Sequence, residues 1–212
     1  MLTHLRIVAL FVAVVSVSLV ATAGEFNPTL SIGDVAPSWQ DLPGIDGKTH
    51  SRADFDTRDV LVVVFTCNSC PYAVDYEDRL VEFQRDVVGK SEKVGLVAIN
   101  VNKIPDDSLE KMQERAQAKG FTFPYLFDES QQIAKDFGAT RTPEFFVLDK
   151  ARKVAYMGAM DDNSMHDKVT KQHLRDAVAA VLAGQSPETK ETPPVGCGIR
   201  FERMRRKART DN

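Results

Sequence analysis

The chain has 212 residues, with 27 lysines and arginines against 30 aspartates and glutamates, a formal net charge of −3. That length supports one domain with a sizeable core, and so balanced a charge gives no global field for nucleic acid. Three cysteines do not make the framework that staples small secreted domains, so each needs its own explanation.

Residues 1–23 read as a signal peptide. Met1 to Arg6 carries one basic residue and no acid, Ile7 to Val20 is apolar, and Ala21-Thr22-Ala23 has the small–x–small pattern of a signal-peptidase site. The apolar run is shorter than the ~20 residues of a membrane span, and an uncleaved N-terminal anchor is the alternative. No cysteine closes the run, which speaks against a lipid-modified N-terminus. Cleavage leaves a chain starting at Gly24, with no integral membrane domain, in a periplasmic or extracellular setting where cysteines tend to pair.

Past a turn-rich stretch, Asp46-Gly47 signals a hairpin. Leu61 to Phe65 reads as a buried strand. From Pro71 to about Val88, Ala73, Tyr76, Leu80, Phe83 and Val87 recur at helical spacing, and Pro71 suits a first helical turn. Val94 to Val101 reads as a strand. Asp106-Asp107-Ser108 can cap a helix from Leu109 to Lys119 that stops at Gly120. Phe123 to Phe127 reads as a strand and Ser130 to Phe137 as a short helix ended by Gly138. Phe145 to Leu148 and Lys153 to Met157 form a strand pair. A last helix from about Thr170 to Ala183 carries Leu174, Ala177, Val178, Val181 and Leu182 on one face and ends at Gly184. This alternation predicts an α/β domain over residues 24–184, a central sheet with helices on both faces. Residues 185–212 read as a tail, proline-bearing and then basic (Arg200, Arg203, Arg205, Arg206, Lys207, Arg209), either solvated or set against an acidic surface.

The chemistry concentrates at Cys67-Asn68-Ser69-Cys70, between the strand and the helix that starts at Pro71. A Cys-x-x-Cys at a helix N-terminus is suited to thiol–disulfide exchange, because unpaired N–H groups and the helix dipole favour a thiolate. The expected assignment places the Cys67 sulfur in the open as attacking group and Cys70 one turn on, facing inward, as resolving group. A structural disulfide and a zinc site are the competing readings. The other zinc-ligand candidates, Cys197, His50, His166 and His173, are scattered. Covalent haem attachment needs a histidine where Pro71 stands. Arg141-Thr142-Pro143 precedes a strand; a cis proline there would turn the Thr142 backbone toward the sulfur, where substrate peptide could pair as an added strand. Cys197 lies in a glycine-flanked tail and is an additional redox candidate. It could fold back on Cys67 as a second resolving thiol, form an intermolecular disulfide, or stay free.

These residues resemble a thioredoxin-fold protein of the redoxin group, over about Ile32 to Gly184. Gly33-Asp34-Val35-Ala36-Pro37 resembles the start of redoxin domains, Cys67 to Tyr72 the active-site turn, and Thr142-Pro143 the cis-proline loop. Leu96 to Phe127 resembles the strand–helix insertion of exported thioredoxins and peroxiredoxins. Cys-Asn-x-Cys-Pro-Tyr, Pro143-Glu144-Phe145-Phe146 and Gly196-Cys197-Gly198-Ile199 resemble a bacterial peroxiredoxin-like subgroup. The resemblance implies a thioredoxin-like mixed sheet flanked by helices. It also implies no cofactor beyond a redox-active Cys67–Cys70 disulfide, and partners that are protein or small-molecule thiols and disulfides plus a recycling redox partner.

The departures choose between activities. Peroxiredoxins carry a proline and a threonine or serine seven and three residues before the peroxidatic cysteine; before Cys67 these places hold Val60 and Val64. Arg141 falls two residues from where a peroxiredoxin arginine would stand. Thioredoxin's tryptophan before the first cysteine is Thr66, and its buried aspartate is Leu61. Asp75 and Glu77 are then the candidates, by proximity in sequence, for deprotonating Cys70. An exported thiol–disulfide oxidoreductase is the leading reading. The alternatives are a thiol peroxidase using Cys67, with Cys70 or Cys197 resolving, and a Cu(I) carrier on the two sulfurs, with His166 as a distant ligand. No other metal is expected.

Overall fold

The structure, a computed structural model, describes residues 24–202. The signal-peptide reading and the basic end from Arg203 lie outside the described residues. A small hairpin, β1 (Leu42–Pro43) and β2 (Thr49–His50), precedes β3 (Val60–Phe65), α1 (Pro71–Phe83), β4 (Val94–Asn100) and α2 (Leu109–Lys119). Then come β5 (Tyr125–Phe127), α3 (Gln132–Phe137), β6 (Arg141–Thr142), β7 (Glu144–Leu148), β8 (Val154–Gly158), α4 (His173–Leu182) and β9 (Cys197–Gly198).

Five of these strands form one mixed sheet in the order β5-β4-β3-β7-β8. β3 pairs parallel with β4 and antiparallel with β7, so it lies in the middle. All six β3 side chains are buried because both faces of the sheet are covered, which is why the strand reads as a continuous apolar run. Val60, Val62 and Val64 face α1, α2 and α4 through Tyr76, Leu80, Phe83, Met112, Leu174 and Val178. Leu61, Val63 and Phe65 face α3 and the N-terminal segment, with Trp39 and Phe55. Phe65, Phe137 and Phe146 meet edge-on there, at centroid distances of 5.4, 5.8 and 5.1 Å.

The local signals held. Ser108 caps α2 by accepting from the Lys111 amide, and Gly120 ends the helix in the left-handed conformation. The helix expected to Val88 is α-helical to Phe83 and widens to a π-turn over Gln84–Val88. Lys153 stays outside β8, and α4 starts at His173 rather than Thr170.

The tail is docked on the domain over its described part, through Glu202, while most of the basic run read as solvated lies outside the described residues. Backbone bonds tie Lys190 and Thr192 to Met157 along the outer edge of β8. The Thr192 hydroxyl accepts from the Ala159 amide at 2.9 Å and meets the Tyr156 hydroxyl at 2.8 Å. β9 then pairs antiparallel with β6, with Thr142 opposite Cys197 and Arg141 opposite Gly198. Beyond it, the Asn102 side chain accepts from the Arg200 amide at 3.0 Å. Gln131 donates to the Arg200 carbonyl at 3.0 Å and accepts from the Glu202 amide at 2.7 Å. At the opposite border, Gly44 bridges Leu126 and the Ile45 amide donates to the Tyr125 carbonyl, so the hairpin covers β5.

Candidate active site

At the end of β3 the Thr66 amide donates to the Ile99 carbonyl at 3.0 Å, and the chain then turns through Cys67–Cys70 into α1. Cys70 is the N-cap residue and Pro71 occupies the first turn. The turn between the cysteines is held from the loop ahead of α2. One oxygen of the buried Asp107 carboxylate accepts from the Asn68 and Ser69 amides at 2.7 and 3.0 Å. The other accepts from the Ser69 hydroxyl at 2.6 Å and from Asn102 Nδ2 at 3.1 Å. Tyr125 adds a hydrogen bond from its hydroxyl to Asn68 Oδ1 at 3.2 Å.

The Thr142–Pro143 peptide is cis, as expected, and lies against both sulfurs. Thr142 Oγ1 is 3.4 Å from Cys67 Sγ, and the Thr142 carbonyl oxygen stands 3.1 Å from Cys70 Sγ, where it accepts from that sulfur whenever the proton is on Cys70. Ser69 Oγ stands 3.8 Å from Cys67 Sγ. Glu144, just past the proline, accepts from the Thr140 and Arg141 amides at 2.8 and 3.0 Å and so fixes the bend.

Cys67 is buried, at 3 % exposure, and so is Cys70 at 2 %, which corrects the open Cys67 sulfur expected from the sequence. The physical reason is enclosure: Cys67, Cys70, Ala73 and Cys197 pack as one cluster beneath the β6–β9 pair. Enclosure also redistributes the charge. The hydrogen bond between the sulfurs draws Cys70 down from its ordinary 9.0 to about 4, helped by the Cys197 thiol and the Ala73 and Cys197 amides against the effect of burial. The same bond is the first cause pushing Cys67 up, followed by burial and, after the opposing Thr142 hydroxyl, the Asp107 charge. The pair therefore loses one proton easily and holds the other, and the two sulfurs share the single negative charge through the hydrogen bond between them.

Cys197 folds back, as one of its three readings has it, but onto Cys70 rather than onto Cys67. Its thiol interacts with Cys70, and burial, followed by that neighbour, pushes its pKa up. All three cysteines are free thiols in the structure. Arg141 Nη1 donates to the Gly196 carbonyl at 3.3 Å.

Neither sequence candidate for deprotonating Cys70 is placed for it. The Glu77 carboxylate is held by Arg115 in two bonds of 2.7 Å, and Asp75 is exposed. The carboxylate brought to the turn is Asp107, whose sequence signal was that of a helix cap; its approach to Ser69, 38 residues away, has no local signature. His166 is exposed beside Glu82, with Nε2 3.8 Å from the carboxylate, and does not join the sulfur cluster. The three sulfurs are the soft donors gathered here.

Comparison with known proteins gives the family of the chain and its relatives. The sequence profile of the Redoxin family matches residues 31–174. The chain is 25% identical over 170 residues to the thiol-disulfide oxidoreductase ResA of Geobacillus thermodenitrificans, covering 79% of this chain and 90% of the relative. It is 28% identical over 142 residues to the peroxiredoxin Bcp of Escherichia coli K12, covering 66% of this chain and 85% of that protein. A crystal structure of a hypothetical protein, SMc02350, from Sinorhizobium meliloti 1021 superimposes with a TM-score of 0.76 at 36% identity, covering 83% of this chain and 97% of the other.

Proposed function

The chain belongs to the Redoxin family, and on that premise we propose that it is a thiol–disulfide oxidoreductase working through Cys67 and Cys70. The observation that carries this reading is the cis Thr142–Pro143 peptide touching both sulfurs of a Cys-x-x-Cys turn at the start of α1. A relative named as a thiol-disulfide oxidoreductase supports it. In the reaction the Cys67–Cys70 hydrogen bond lets a proton pass to Cys70, leaving Cys67 as thiolate. Cys67 attacks a substrate disulfide, forming a mixed disulfide and releasing one substrate thiolate. Cys70, once deprotonated, attacks Cys67 Sγ, releases the second substrate thiolate and closes the Cys67–Cys70 disulfide. The substrate gains two electrons, the protein loses two, and an external dithiol restores it; run backwards, the pair oxidises dithiols. Export through the N-terminal segment is part of the proposal, and its check is whether the mature protein begins at Gly24.

Thiol peroxidation by Cys67 is the second reading. Val60 and Val64 lack a hydroxyl, but Thr142 and Ser69 bring hydroxyls to 3.4 and 3.8 Å from Cys67 Sγ, and a relative is named a peroxiredoxin. Thiol loss in the reduced protein, followed with a disulfide substrate or with hydrogen peroxide, separates the two. Turnover of the disulfide that is abolished by Cys67→Ser and stalls at a mixed disulfide in Cys70→Ser supports exchange. Rapid peroxide consumption that survives Cys70→Ser but not Cys197→Ser overturns it.

A further inference from the structure

The edge of β6 beside the cis proline is where a substrate peptide would add as a strand. It is already taken. Residues Cys197–Gly198 pair with Arg141–Thr142, and a β-carbon at Gly196 would stand 2.0 Å from the Thr142 carbonyl oxygen and 3.1 Å from the Pro143 nitrogen. Only a glycine backbone fits that close to the cis peptide. The flanks are fastened: the Ile199 amide donates to the Thr140 carbonyl at 3.0 Å, Arg141 holds the Gly196 carbonyl, and Ile199 and Phe201 pack on the core. The register sets Cys197 opposite Thr142, the residue that touches both active-site sulfurs.

We propose that the segment Gly196–Ile199 is a tethered substrate-like strand, and that Cys197 is a resident disulfide partner of Cys70. This rests on the exchange reading of the Cys67–Cys70 pair. The Cys197 thiolate attacks Cys70 Sγ of the Cys67–Cys70 disulfide. The Cys70–Cys197 bond forms, the Cys67–Cys70 bond breaks, and Cys67 leaves as a thiolate that takes up the proton Cys197 gave to solvent. No electrons enter or leave. The product holds the same two oxidising equivalents but presents Cys67 as a free thiol. A protein substrate must displace the strand to reach the β6 edge.

Disulfide mapping on the full chain tests this. Trypsin leaves Cys67 and Cys70 together in Asp59–Arg79 and Cys197 in Glu191–Arg200. Reduced wild type, Cys67→Ser and Cys70→Ser are treated with limiting diamide, a two-electron thiol oxidant, quenched with N-ethylmaleimide and digested. The two peptides should be joined in Cys67→Ser at a rate independent of protein concentration, and about tenfold more slowly in Cys70→Ser. Equal rates in the two variants, or a rate proportional to protein concentration, overturn the proposal. A wild type that closes Cys67–Cys70 and reduces insulin while Cys67→Ser stays unlinked refutes the tail inference alone; a wild type that does neither refutes the exchange reading beneath it. In folded Gly196→Val, linkage should slow about tenfold, because the added side chain pushes the strand off the cis peptide; unchanged linkage counts against the tethered strand.

Discussion

Asp107 holds the Ser69 hydroxyl at 2.6 Å and the Ser69 amide at 3.0 Å, so a carboxylate from the loop before α2 fixes the residue between the two cysteines. It also sets a buried negative charge near Cys67, where it opposes the thiolate. Replacing Asp107 by Asn removes that charge and leaves one oxygen fewer to accept from the donors gathered on it. The Cys67 thiol should ionise more readily, and unfolding stability should drop by about 1–3 kcal/mol. Iodoacetamide kinetics against pH and denaturant titration measure the two effects; unaltered Cys67 kinetics would reject the electrostatic role.

Thr142→Val keeps the shape of the side chain but loses the hydroxyl 3.4 Å from Cys67 Sγ, which favours the thiolate. One such hydrogen bond contributes about 1 kcal/mol, so disulfide exchange should slow about fivefold. Single-turnover kinetics with a small disulfide read this directly, and a rate equal to wild type would show that the hydroxyl is idle.

The reduced protein should change stability with pH through Cys70. Its folded pKa of about 4 lies below its ordinary 9.0, so the folded state gains stability as pH rises between those values and loses it as pH falls through about 4. Cys67 is shifted the other way, and its cost starts only above 9.0. The melting temperature of the reduced protein should therefore rise relative to that of the oxidised protein from about pH 5 to about pH 8. A gap that stays constant across this range contradicts the assignment.

Glu144 behaves oppositely. Burial pushes its carboxyl from the ordinary 4.5 up to about 6, against the two amides it accepts. The folded state keeps a proton that the unfolded chain releases, so stability is lost as pH rises from 4.5 through about 6. At neutral pH the loss is about 2 kcal/mol. Glu144→Gln keeps an acceptor for both amides and removes the titration. Plotted from about pH 4 to about pH 7, the stability of the variant relative to wild type should rise by about that amount; a flat difference would disprove it.

Gly158 has a φ of +134°, and a β-carbon there would stand 2.2 Å from the Thr192 carbonyl oxygen. Gly158→Ala should destabilise the fold by about 1–3 kcal/mol and loosen residues 190–192 from β8. Hydrogen exchange at the Thr192 amide, which donates to Met157, would rise by about tenfold or more as that bond opens. Protection equal to wild type would refute the coupling.

What the sequence disclosed follows the range of each interaction. β3 was legible because a strand buried on both faces is apolar throughout, and α2 because Ser108 and Gly120 mark its ends chemically. The cis Thr142–Pro143 bend was legible from its place before β7. Asp107 was hidden because its helix-capping pattern explains it fully without the contact to Ser69. The docking of the tail was hidden because β6 and β9 are two residues each, too short for any periodicity. The packing of Cys197 on the sulfur cluster comes with that docking, so it was hidden too.

The coverings on β5 and β8 have a consequence for the behaviour of the protein in concentrated solution. An open sheet border offers unpaired N–H and C=O groups to any other chain and is the usual seed of aggregation. Here the hairpin around Gly44–Ile45 lies on β5, and residues 190–192 lie on β8. Loosening the tail would uncover a strand template at β8 along with the cysteines. Variants that free the tail should therefore be judged for self-association as well as for redox chemistry.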